Sequence, residues 1–167
     1  MFISGYYIYY LGNKMDKIEN HVQLLLQNYV QFWSSAKPTK LINIWDQDEK
    51  EPFYIAEEKM EPIYRWDLLI NYWEDAERIL EKFSLRVWDI RHKKLSDKIV
   101  AINFMMHWNA ILNTEERNKF GLDLRVSAVT RVIDTELRFC QYAESPLGAL
   151  PYIKRVYENN VDEKFTD

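Results

Sequence analysis

Few side chains in this sequence can move a proton or orient a polar ligand atom, and they lie far apart. Tyr29 sits on the apolar stripe of a helical segment, where its hydroxyl could reach a carbonyl or hydroxyl oxygen. Glu57 and Glu58 follow the short apolar run Phe53-Tyr54-Ile55. A carboxylate drawn into an apolar pocket holds its proton more tightly and can shuttle it near neutral pH. Consecutive strand residues point to opposite sides, so one glutamate at most would face a ligand, and Glu57 is the candidate. His107 is the histidine inside a strand-like run, and a one-residue shift of register would turn it inward. Tyr29, Glu57 and His107 are therefore the catalytic candidates, with a glutamate transferring the proton and Tyr29 steadying an oxyanion.

Other chemistries find little support. No group of His, Cys, Asp and Glu shows ligand spacing, so no metal site is expected. No glycine-rich phosphate loop is present, and no organic cofactor is expected. Cys140, between Phe139 and Gln141 in an apolar run, reads as a core residue with no base beside it. As the single cysteine it permits no internal disulfide, and a reducing compartment, the cytoplasm, is the default. The formal net charge of −4 disfavours nucleic acid as a partner, since phosphate binding needs a concentrated basic surface. Arg91-His92-Lys93-Lys94 reads as a polar turn. Residues 1–11 are apolar and tyrosine-rich but lack a basic leader and are too short to span a bilayer, so no membrane role is expected.

The elements that would position these groups follow from periodicity. Ile18, Val22, Leu25, Leu26, Tyr29, Phe32 and Trp33 recur at spacings of three and four, giving a first helix with Asp16 as its N-cap. The stretch from Ser34 to Pro38 ends that helix, a short second helix covers 39–45, and residues 46–51 form a charged loop. Phe53–Ile55 is a short strand, and a third helix has Leu68, Leu69, Tyr72 and Trp73 on its inner edge. Strands then cover 80–90, 99–112, 122–133 and 137–142, with a turn at Asp134-Thr135 and a final helix over 151–158. In the second of these strands, Val100, Ile102, Phe104, Met106 and Trp108 share an apolar face; Ala101, Asn103, Met105, His107 and Asn109 share a mixed one. The fold class is α+β: a strongly curved antiparallel sheet forming a cone with three helices. The domain spans 15–160, between an extension at 1–14 and a tail at 161–167.

Over residues 16–158 the chain resembles the nuclear-transport-factor-2-like superfamily, with its ketosteroid isomerase, scytalone dehydratase and SnoaL-like branches. The resemblance rests on Glu57-Glu58-Lys59 leading through Pro62-Ile63-Tyr64-Arg65 to Tyr72-Trp73, and on the closing stretch from Leu137 to Ser145. It implies a cone that binds a small apolar molecule and dimerises through the outer sheet face. It sets Tyr29 where the isomerase has its first-helix tyrosine. The isomerase's general-base aspartate falls near Ala56 and its second aspartate near Val129, while Gln141 and Ala143 stand where dehydratases often carry histidines.

Together these observations predict a pocket protein for a small apolar or polycyclic ligand, non-catalytic or acting by proton transfer as an isomerase, a dehydratase-type lyase or a cyclase. Its walls would be Phe32, Trp33, Phe53, Tyr72, Trp73, Ile102, Phe104, Met106, Trp108 and Tyr142, for rings stack well on rings. The alternative is a non-catalytic dimeric binding or assembly module whose aromatic residues are merely core. An open cavity holding a polar group would separate the two.

Overall fold

The computed structural model describes residues 17–147. The extension at 1–14, the Asp16 cap and the helix expected over 151–158 lie outside the described residues.

Helix α1 (Lys17–Ser34) buries Val22, Leu25, Leu26, Tyr29 and Trp33 on the predicted stripe. It stops through paired backbone bonds: Ala36 N–H donates to Trp33 at 2.9 Å and Lys37 N–H to Phe32 at 3.0 Å. Ala36 adopts φ 51° to close that turn, a left-handed conformation usually left to glycine. A short 3-10 helix (Pro38–Ile44) follows, its proline in the first turn where a missing N–H costs nothing.

The charged loop after it is more than solvated. Asp46 is fully buried, and the Arg131 guanidinium pairs with it and with Glu49, the latter at 2.9 Å. The Trp66 indole N–H closes the same loop onto the Glu49 carbonyl at 2.7 Å.

Strand β1 (Phe53–Ile55) precedes α2 (Trp66–Ile79). Leu69 and Trp73 are buried, but Leu68, expected on the inner edge, is 47% exposed, because the helix turns its Leu69–Trp73 line to the core. Strands β2 (Leu80–Lys94), β3 (Ile99–Leu112), β4 (Lys119–Ile133) and β5 (Glu136–Pro146) form an antiparallel meander. The sheet order is β1-β5-β4-β3-β2, and β1 joins β5 in parallel, so the sheet is mixed. Arg91 to Lys94 are not a turn: they continue β2, pairing along Asn103 to Val100, and the reversal comes at 95–98. Ladder hydrogen bonds hold these polar residues in strand without any apolar alternation.

Register shifts between Trp88 and Arg91 and between Val129 and Thr130 add extra residues that bend the sheet. The curved, unclosed sheet wraps α1 and the 3-10 helix, and the apolar face of β3 (Val100, Ile102, Phe104, Met106) is buried beneath them. No helix among the described residues is long and apolar enough to cross a membrane.

Candidate active site

A cavity of about 480 Å³ opens between the helices and the concave sheet. Tyr29 and Trp33 from α1, Tyr72 from α2, Phe83 from β2, and Met106 and Trp108 from β3 line its walls. Glu57, Glu58 and Glu144 line it as well. The polar groups are thus gathered by the shortest strand: β1 sets Tyr54 against Tyr142 and Ile55 against Ala143. The turn after β1, closed by Lys59 N–H on the Ala56 carbonyl at 3.1 Å, then swings Glu57 and Glu58 toward Glu144. Because the strand ends at Ile55, the opposite-sides expectation for the two glutamates fails, and both face the cavity.

A directed hydrogen-bond chain supports Glu144. Its carboxylate accepts from the Tyr142 hydroxyl at 2.9 Å and from the Glu57 backbone N–H at 3.3 Å. With the Tyr142 proton so committed, the Tyr29 hydroxyl, 2.6 Å away, donates to the Tyr142 oxygen. Met106 Sδ lies 3.8 Å from both hydroxyls. Burial pushes the Glu144 carboxyl well above its ordinary range, and the hydrogen bond and negative charge of Glu57 push it further. Burial also raises Glu57, with the Glu58 charge adding to the effect and the Glu144 hydrogen bond opposing it. Burial likewise raises Tyr29, Tyr54, Tyr72 and Tyr142 well above the usual phenol, so all four stay neutral donors. The resulting arrangement sets two carboxyls of raised proton affinity, with oxygens within 4.8 Å of each other, at the edge of an aromatic hollow.

The predicted residues divide. Tyr29, Glu57, Trp33, Tyr72, Met106 and Trp108 line the cavity. Ile102, Phe104, Trp73 and Tyr142 are instead buried in the core, and Phe32 packs partly against it. Trp73 fills the space beside Trp45 and Tyr54, with ring centroids 6.0 and 6.2 Å away. Phe53 is 41% exposed and meets Tyr64 at 5.1 Å, because it has the opposite parity to Tyr54. His107 lies on the outer face, bonded to Asp123 at 2.8 Å and Asn109 at 3.2 Å, and no register shift in β3 turns it inward.

Glu144 is the residue sequence reasoning missed. Its signal was parity with Tyr142, already among the expected wall residues; Gln141 pairs with Val129 and Phe139 with Thr130, leaving Cys140 as an extra residue between. That bulge lets both Phe139 and Tyr142 face inward. The metal expectation also changes, for the carboxylate oxygens of Glu57, Glu58 and Glu144 fall within 4.8 Å of one another. Those are the described residues that could hold a hard cation, an oxygen-only set.

No protein-family model matches the sequence, and no curated protein does. Solved structures share the cone. A nuclear transport factor 2-like superfamily protein from Salmonella enterica superposes with a TM-score of 0.67 at 15% identity, over 78% of this chain and 92% of its own. A type 2 hexachlorocyclohexane dehydrochlorinase gives 0.63 at 11% identity, over 80% and 90%. An uncharacterised protein with a cystatin-like fold from Caulobacter vibrioides gives 0.62 at 10% identity, over 84% and 96%. The described fold is therefore the nuclear-transport-factor-2-like cone, and at such identities the likeness speaks for fold alone.

Proposed function

We propose that this protein takes a small, ring-bearing apolar molecule into the cavity and moves a proton on it through the Glu57–Glu144 pair. The reaction class is isomerisation or elimination, for which a proton-transferring carboxyl pair suffices. The observation carrying this reading is the Glu144 carboxyl, held by Tyr142 and Glu57 at the wall of an aromatic cavity. Glu57 removes a proton from carbon; Glu144, its carboxyl raised by burial, returns one to the departing or newly basic atom. Tyr29 supports the pair through Tyr142 rather than by touching the oxyanion itself. Among the neighbours, the dehydrochlorinase is named for an elimination, which is in keeping with this class.

The proposal extends to a homodimer through the outer sheet face, where Asn103, Met105, His107 and Asn109 stand in β3, and to a reducing, cytoplasmic setting for Cys140. Sedimentation velocity at micromolar concentration tests the dimer; a monomer there ends that part.

The central test is the ring-opening elimination of a nitrobenzisoxazole, which needs one base to take a carbon-bound proton. The protein should outpace free acetate at the same pH, and Glu57→Gln should lower the rate by roughly 10²–10⁴-fold. A rate no better than acetate removes the catalytic reading.

A further inference from the structure

We propose that the cavity's ligand carries a cationic nitrogen: a ring-bearing amine whose ammonium sits among Glu57, Glu58 and Glu144 and against the face of Tyr72. This deepens the pocket reading and rests on it. Two independent sets of atoms on one cavity wall support it.

The first is charge. The cavity lining holds four carboxyl groups, Glu57, Glu58, Asp75 and Glu144, against one cation, Lys59; Asp75 is paired with Arg78 at 2.8 Å, which leaves the three glutamates. Among the described residues none of the three clustered glutamates has an ion-pair partner, although the surface pairs Lys37–Glu77 and Arg117–Glu81 show how readily other glutamates find one. Glu58 is exposed, but Glu57 and Glu144 are partly withdrawn from water; carboxylates so placed without a counter-charge are unfavourable, and protonation is the minimal remedy. A ligand ammonium would offset the charge of Glu57 and Glu58 instead, displacing a proton from Glu57 while Glu144 keeps its own. An anionic ligand would meet four carboxyls and a single lysine.

The second is the aromatic lining. Ring faces attract cations, most strongly where water is excluded. The chain's own Lys59 Nζ lies over the Tyr72 ring, 5.6 Å from its centroid; Lys59 is exposed, so a ligand ammonium reaching that ring would displace it into solvent. Tyr72 in turn donates to Glu58 at 2.8 Å, so one ring joins the aromatic wall to the acidic group. Trp33, Phe83 and Trp108 continue the wall and would hold the ligand's hydrocarbon part.

The test compares three naphthalene derivatives of one size, the aminomethyl, hydroxymethyl and carboxyl compounds, by titration calorimetry of the folded protein at neutral pH. The amine is expected to bind at least tenfold more tightly than the alcohol, and the acid not measurably. Titrations in two buffers of different ionisation enthalpy should show protons released when the amine binds. The groups facing the charge are Glu57, Glu58 and Lys59 from the turn after β1, Tyr54 from β1, Glu144 and Tyr142 from β5, Tyr29 from α1, and Tyr72 and Asp75 from α2. In Glu57→Gln/Glu58→Gln the tenfold preference for the amine over the alcohol should vanish.

An alcohol that binds the wild-type protein as tightly as the amine overturns the cation and leaves the apolar pocket standing. If no compound binds, the cation is equally overturned, and elimination of the nitrobenzisoxazole then decides the pocket reading separately.

Discussion

Tyr142 and Glu144 stand two residues apart on β5, and the Tyr142 hydroxyl donates to the Glu144 carboxylate at 2.9 Å. That bond favours the ionised carboxyl, opposing the burial that keeps it protonated. Removing it in Tyr142→Phe should move the basic limb of the elimination profile, set by loss of the Glu144 proton, to higher pH. Tyr29→Phe should move it the same way but less, since Tyr29 acts through Tyr142. Rate–pH profiles of the two variants check the order. Identical profiles for wild type and Tyr142→Phe would show that the phenol does not tune the pair.

The raised Glu144 carboxyl also makes stability depend on pH. The folded protein binds this proton more tightly than the unfolded chain, so its contribution is complete below the unfolded carboxyl pKa of roughly 4.3. It declines as pH rises through the folded value, at up to about 1.4 kcal/mol per pH unit. Glu144→Gln needs no proton and keeps an acceptor for Tyr142. It should therefore flatten the decline and be the more stable protein near pH 8. Urea melts of both proteins between pH 5 and 8 supply the comparison, and parallel curves would contradict it.

Arg131 and Asp46 form an ion pair with one fully buried member. Arg131→Met leaves the Asp46 carboxylate without its counter-charge and should cost about 3 kcal/mol. Adding Asp46→Asn removes the stranded charge and should recover most of that loss. Chemical denaturation of the single and double variants measures both numbers. A double variant as weak as the single would mean that the guanidinium acts by packing alone.

Ala36 closes α1 in a left-handed conformation that disfavours any side chain with a Cβ. Ala36→Gly keeps the same terminating hydrogen bonds and relieves that crowding, so it should stabilise the protein by about 0.5–1 kcal/mol. A thermal melt suffices to see the sign.

How much of this was legible in the sequence varied with the kind of signal. The stripe from Val22 to Trp33 and the alternation through Val100, Ile102, Phe104 and Met106 are long periodic patterns, and the structure buries those residues together. Short irregular features were harder. Cys140 interrupts the period of β5 by one residue, so the inward direction of Tyr142 and Glu144 could not be counted from Leu137. Arg91 to Lys94 carry no apolar alternation, yet β3 supplies ladder partners for each. The acidic cluster depends on pairing β1 with β5 across 87 residues, a contact that no local pattern announces. Which aromatic residues line space and which fill it was equally hidden: Trp33 and Trp73 look alike in sequence, but only Trp33 borders the cavity.

Met106 places a thioether beside both tyrosine hydroxyls, on the wall of a space that small solutes can enter. Thioethers age under peroxide to sulfoxides, whose oxygen is a far better acceptor than sulfur. A sulfoxide at this position would draw the phenol protons toward itself and away from the glutamate they steady. Peroxide exposure in storage would thus silence the protein from within while leaving its outer surface unchanged.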